Sequence, residues 1–182
     1  MPCHAVDLER QHKGTGKINR TNYTRTETKK SLPQSIRLQS VELLNRNLAS
    51  AIDLKRQAKQ AHWNVKGPNF IALYELFDKV AEAAEEFIDL LAERVTTLGG
   101  TAEGRIQAVI EHSALSPYPT DTAAEREHVD VLSTALAMFG KAVHEAIDEA
   151  ARFGDADTAD VFTEISREID KQLWLVEAHL HG

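Results

Sequence analysis

The residues best able to do chemistry in this chain fall within one short interval. His62 stands in Gln60-Ala61-His62-Trp63-Asn64, Tyr74 and Asp78 follow a break at Lys66-Gly67-Pro68-Asn69, and Asp89 and Glu93 come after them. One imidazole, one phenol and three carboxylates make a donor set of nitrogen and oxygen. Such donors suit hard or borderline metal ions and can leave coordination positions open. Whether they meet depends on the elements that carry them.

Those elements read as a helical hairpin. Phe70, Leu73, Phe77, Ala81, Ala84, Ile88, Leu91, Val95 and Leu98 recur at spacings of three or four, the apolar seam of a long amphipathic helix. At about 100° per residue, Asp78 and Asp89 share an azimuth, and Asp89 and Glu93 sit one above the other. Glu82 and Glu85 fall on the same side, so the helix carries an acidic stripe, whose plain reading is a solvated face. The turn argues for more. Pro68 excludes a helix interior, and Gly67 is available for positive φ. In the antiparallel pair so formed, His62 and Tyr74 are level, and Tyr74 and Asp78 share a face at i,i+4. These three can converge near the closed end of one hairpin. Asp89 and Glu93 cannot join them in the same chain. Eleven residues at about 1.5 Å rise put Asp78 and Asp89 roughly 16 Å apart, whereas metal–ligand bonds are about 2.0–2.6 Å. A single site using His62, Asp78, Asp89 and Glu93 therefore needs two chains. A two-fold axis laying one hairpin on another would make two identical sites.

The chain of 182 residues has a one-domain length and enough apolar content for a full core. Residues 1–34 are expected to form a flexible basic N-terminal arm and residues 35–182 a single helical domain. Long helices are expected over about 35–64, 70–98, 121–153 and 157–180, with a short one near 105–112. Val41, Leu44, Leu48, Ala51 and Ile52 face inward from the first helix, and Val129, Leu132, Leu136, Phe139, Val143 and Ile147 from the third long one. Phe162, Ile165, Ile169, Val176 and Leu180 do so from the last. Gly99-Gly100 and Gly154 close the second and third long helices, and Pro117-Tyr118-Pro119 is a stiff loop. Gly140, inside a helix, is expected to cost about 1 kcal/mol against alanine. Two short turns and one longer crossover, which holds the short extra helix, make an all-α four-helix bundle of the ferritin type. No strand pattern or repeat competes with it.

Charge is unevenly spread. Of the net −7, residues 1–30 hold Arg10, Lys13, Lys17, Arg20, Arg25, Lys29 and Lys30 against Asp7, Glu9 and Glu27, a net of +4 that leaves −11 on the remainder. No apolar run is long enough to span a bilayer, and the N-terminus lacks the apolar core of a secretion signal. The expectation is a cytoplasmic protein, nucleoid-associated if the arm holds DNA. The single cysteine, Cys3, excludes an internal disulfide and with His4 is only a weak zinc candidate.

These residues resemble the Dps family, the DNA-protection-during-starvation proteins or miniferritins. The likeness runs from about Val41 to the C-terminus. It is carried by Val41-Glu42-Leu43-Leu44-Asn45-Arg46, His62-Trp63-Asn64, Asn69-Phe70-Ile71-Ala72, Glu75-Leu76-Phe77-Asp78, Ala92-Glu93-Arg94 and Leu98-Gly99-Gly100. Asp157-Thr158-Ala159-Asp160 and Asp170-Lys171-Gln172-Leu173-Trp174 with Glu177-Ala178 extend it. No single piece is specific, but their combination is. The resemblance implies a ferritin-like subunit, a hollow dodecameric shell and ferroxidase centres at two-fold interfaces, in agreement with the two-chain requirement. It implies that His62, Asp78, Asp89 and Glu93 are catalytic iron ligands. The fifth family position, usually a second histidine, is Tyr74 here. The implied reaction is oxidation of Fe(II), with hydrogen peroxide as oxidant, followed by storage of a ferric mineral in the shell.

Several residues keep two readings. Tyr74 is a spectator, a partner for a water ligand, or a phenolate. A free phenol titrates near pH ~10, so it is a poor Fe(II) ligand until ferric iron acidifies it. Trp63 is core or, by the resemblance, a radical sink beside the iron. Asp155, Asp157 and Asp160 open the last long helix, where they cap it or, by the resemblance, line a three-fold pore that attracts Fe(II). Both hold if one aspartate caps while another faces the pore. Glu82, Glu85 and Glu86 are solvated charges or help nucleate mineral. His128, His144, His179 and His181 have no partner at ligand spacing and are expected at the surface. The competing function is a sequence-independent DNA-binding nucleoid protein with weak or absent ferroxidase activity. Its arm would neutralise phosphates, and many arms on one shell would add avidity. No base-reading motif is present, and a merely solubilising tail is the plain alternative. A purely structural bundle leaves His62 beside the turn unexplained.

Overall fold

A computed structural model describes residues 31–180. Arg10, Lys13, Lys17, Arg20, Arg25, Lys29 and Lys30 of the expected DNA-binding arm, and His181, lie outside the described residues. The helices are α1 (Gln34–Asn64), α2 (Phe70–Thr97), α3 (Ile106–His112), α4 (Glu125–Phe153) and α5 (Ala156–Glu177), followed by a 3-10 turn (Ala178–Leu180). There is no strand element among the described residues. α1 packs along α2, α4 along α5, and α1 also along α4. Contacts at the ends fix the directions. Asn69, before α2, meets Glu125 at the start of α4, and Arg94, near the end of α2, meets Asp155 between α4 and α5. α2 and α4 therefore run parallel, and the long crossover through α3 is what such a pair requires. This is the ferritin-like four-helix bundle that the periodicity predicts.

The core follows the seams. Phe77, Phe139 and Phe162, from α2, α4 and α5, are fully buried, and the rings of Phe87 and Phe139 stack with centres 6.1 Å apart. Each such side chain contributes about 1.5–3 kcal/mol by leaving water. Of the expected inward residues, Ile52, Ile88, Ile147 and Leu180 are half-buried at the margins. Phe70 departs from the expectation. As the first residue of α2 it is exposed, and its ring lies 5.4 Å from that of Tyr74 instead of entering the core.

α4 begins at Glu125, four residues later than the periodicity suggests. The Glu127 carboxylate reaches back and accepts the N–H groups of Ala123 and Ala124 at 2.9 and 3.1 Å, so the cap falls there. The stiff loop folds over this end and overturns the surface assignment of His128. The imidazole is 1% exposed, with Nδ1 2.5 Å from the Tyr118 hydroxyl. Burial lowers its pKa below the ordinary histidine value, against the opposing charge of Glu127. Burial likewise raises that of Tyr118. His144 and His179 are exposed as expected, and His144 Nε2 lies 2.8 Å from the Ser166 hydroxyl.

Two predictions come from this packing. A Cβ at buried Gly140 would stand 3.6 Å from Ile169 Cγ2, an ordinary contact, so nothing in the packing requires glycine there. Gly140→Ala should raise stability by about 0.5–1 kcal/mol through helix propensity, read as a higher denaturation midpoint. His128 resists protonation in the fold, whereas the unfolded chain takes up the proton near pH ~6.5. Its contribution is complete above that pH and is lost as pH falls through the lower folded value. In His128→Gln, unfolding midpoints measured downward from about pH 7 should decline less steeply than in the parent.

Candidate metal centre

His62 lies in the last turn of α1 and is 5% exposed. Its Nδ1 is 2.8 Å from the backbone carbonyl of Tyr74. A carbonyl can only accept, so Nδ1 carries a proton, and the neutral form of the ring has its lone pair on Nε2. That is the tautomer of a metal-ligating imidazole held from behind. The Tyr74 ring lies across the imidazole, with centres 3.8 Å apart and planes tilted by 31°. The hairpin thus brings His62 and Tyr74 together, as their equal distance from the turn suggests.

Asp78 faces the same end of the hairpin. Its Oδ1 lies 2.5 Å from Nζ of Lys59, and that ammonium holds the carboxyl below its ordinary pKa. Sequence reasoning missed Lys59. The signal was available: Lys59 is three residues before His62 on α1 and level with Asp78 across an antiparallel pair. Nζ is also 5.9 Å from the centre of the Trp63 ring. Trp63 itself is 62% exposed, so the core reading of this residue is wrong. The second tryptophan, Trp174, is also exposed.

Asp89 and Glu93 occupy the far half of α2, both exposed. Among the described residues, no three His, Cys, Asp or Glu side chains of one chain come together closely enough to hold a metal ion. Within the stripe, Glu82, Glu85 and Glu86 are exposed, and Glu85 is paired with Lys55.

Comparison with known proteins bears on this arrangement. A ferritin-like domain model matches residues 41–182. Over 153 residues the chain is 44% identical to a DNA protection during starvation protein of Agrobacterium fabrum, covering 84% of this chain and 94% of that one. This chain belongs to the Dps family. Among solved structures, DpsC from Streptomyces coelicolor superposes with a TM-score of 0.83 at 32% identity, covering 87% of this chain and 93% of its own. A Dps from Microbacterium arborescens, in a high iron form, gives 0.78 at 29% identity, covering 86% of this chain and all of its own.

In this member of the Dps family, the residue after Glu93 ties that end of α2 to the α4–α5 corner. Arg94 donates to Asp155 Oδ1 at 2.6 Å, to the Thr158 hydroxyl at 2.9 Å and to Asp157 Oδ2 at 3.5 Å. Asp155 is 2% exposed and caps α5 by accepting from Thr158 N–H at 3.2 Å. Burial alone would raise its pKa. Donation by Thr158 and the Arg94 charge outweigh it, and the carboxyl sits below its usual value. Capping is therefore the reading that holds for Asp155, while Asp157 and Asp160 are exposed. Asp155→Ala removes the cap and strands a guanidinium that is only 11% exposed. It should cost about 3 kcal/mol or more, measured by chemical denaturation, whereas Asp157→Ala should cost less than about 1.

Proposed function

We propose that this Dps-family protein oxidises Fe(II) at centres shared between two copies and stores the ferric product in a hollow dodecameric shell. The observation that carries the proposal is His62. Its imidazole is oriented by a carbonyl to present Nε2, Asp78 faces the same end of the hairpin, and among the described residues no three candidate ligands gather in one chain. His62 and Asp78 of one copy would then face Asp89 and Glu93 of another. Exposed apolar side chains support that pairing. Trp63, Phe70 and Ile71 surround the closed end of the hairpin, and Ile106 and Ile110 line one face of α3. No described helix is long and apolar enough to cross a membrane.

Fe(II) is the substrate, and the chain supplies one imidazole and carboxylates that offset the rising charge as the ion becomes Fe(III). With hydrogen peroxide as oxidant, two Fe(II) each give up one electron and the peroxide O–O bond breaks. Together with two waters, the product is two FeOOH units and four protons. Trp63, exposed beside His62, would quench a stray oxidising equivalent. Asp157 and Asp160 are the acidic residues left for a pore that draws Fe(II) inward, and Glu82 and Glu86 for contact with mineral. DNA binding by the arm is the second reading, favoured by the +4 of residues 1–30 against −11 elsewhere. It would draw the shell onto the nucleoid in the cytoplasm.

Three measurements test these readings. Shells mixed from Asp78→Ala and Glu93→Ala chains should oxidise Fe(II) faster than either parent shell, because some interfaces pair two intact halves. A mixture no better than its parents would sink the shared centre. Tyr74→His should strengthen a second Fe(II) binding event about tenfold in anaerobic titration, and Tyr74→Phe should leave it unchanged. A visible charge-transfer band after oxidation, absent from Tyr74→Phe, would instead make the phenol a ferric ligand. Removal of residues 1–30 should abolish retardation of plasmid DNA in gels and leave iron oxidation intact. The full chain's retardation should weaken steeply with added salt.

A further inference from the structure

Lys59 lies between two parts of the proposed centre. Its ammonium is 2.5 Å from Asp78 Oδ1 and 5.9 Å from the middle of the Trp63 ring. Rigid elements hold all three residues. Lys59 and Trp63 are i,i+4 in the last turns of α1, and Asp78 faces them from α2. The Lys59 side chain is 25% exposed and that of Asp78 41%, so an ion from solvent can reach the pair. One turn earlier on α1, Lys55 meets Glu85 in the same way. α1 thus sets a row of ammonium groups against the acidic stripe of α2.

A carboxylate neutralised by an ammonium attracts a metal ion less strongly than a free one. A divalent cation that binds Asp78 repels Nζ, and the displaced charge needs a favourable place. The face of Trp63 is within about 6 Å, the range of a cation–π contact. We infer that Lys59 is a displaceable counter-ion of the metal centre, seated on Asp78 in the empty protein and on the Trp63 ring once Asp78 takes a metal. It is a positioning and affinity-setting residue that touches no reacting atom. Metal entry becomes an exchange of one cation for another. Asp78 is never left as a bare carboxylate in the empty protein, and the indole registers occupancy. The inference rests on the proposed centre.

The test uses assembled full-length shells carrying Trp174→Phe, which leaves Trp63 as the remaining tryptophan. Anaerobic titration with Zn(II), which has no redox chemistry, should shift Trp63 emission in step with binding. Adding Lys59→Met should tighten Zn(II) binding about tenfold and remove the emission shift. Lys59→Gln should behave alike, and Lys55→Met should match the parent in both readouts. Unchanged affinity in both Lys59 variants, or the same emission shift without the ammonium, overturns the inference. Asp78→Ala separates this from failure of the centre itself. If that shell binds Zn(II) as the parent does, Asp78 is no ligand, and the centre and the inference fall together. If it loses binding while the Lys59 variants match the parent, only the inference falls.

Discussion

The register of α2 on α1 is set at Gly67, and the placement of the candidate donors inherits it. Gly67 has φ of +147°, a conformation open to glycine, and a Cβ there would land on the Glu125 carboxylate. That carboxylate accepts from both the backbone N–H and the side-chain Nδ2 of Asn69, at 3.1 and 2.8 Å. The first turn of α4 therefore grips the hairpin turn from outside. With the turn fixed, helix geometry alone makes His62 level with Tyr74 and Lys59 level with Asp78. A slip of one residue would rotate one set of donors by about 100° and separate them.

Charge is organised around the same hairpin. The acidic face of α2 would repel itself if left bare. Lys55 and Lys59 answer it, whereas Arg94, towards the other end of α2, pairs with Asp155 on the α4–α5 corner. These contacts differ in kind. Arg94 is nearly buried and bonds to several acceptors on the α4–α5 corner, so it is part of the frame. The two lysines are more exposed single-point contacts and can let go. Asp78 carries a lysine contact, and the arginine that follows Glu93 is spent on the α4–α5 corner.

Much of this was legible in the sequence because it depends on periodicity and counting. The apolar seams placed the four long helices, and the equal count from Lys66 back to His62 and from Phe70 on to Tyr74 predicted that they meet. What escaped depends on the third dimension. His128 lies four residues before Leu132 on the seam, a signal that the surface default for histidine overrode, and Tyr118 of the stiff loop folds back over it. Asp121 and Thr122 are plausible caps by type, yet the Glu127 carboxylate sets the start of α4. Trp63 is apolar by composition but lies on the outer edge of α1, where no described helix covers it. The Lys59–Asp78 pair needed the question of which cation stands opposite each carboxylate. Residue type alone does not raise it.

The separation of Asp78 from Asp89 along α2 has a thermodynamic consequence. If each centre draws its donors from two copies, iron affinity and subunit association become reciprocal quantities. Whatever free energy the interface adds to metal binding, the metal returns to the interface. A lone subunit would then be chemically quiet and would gain its competence only in company. Dilution would silence it, and scarce iron would loosen the container built to hold it.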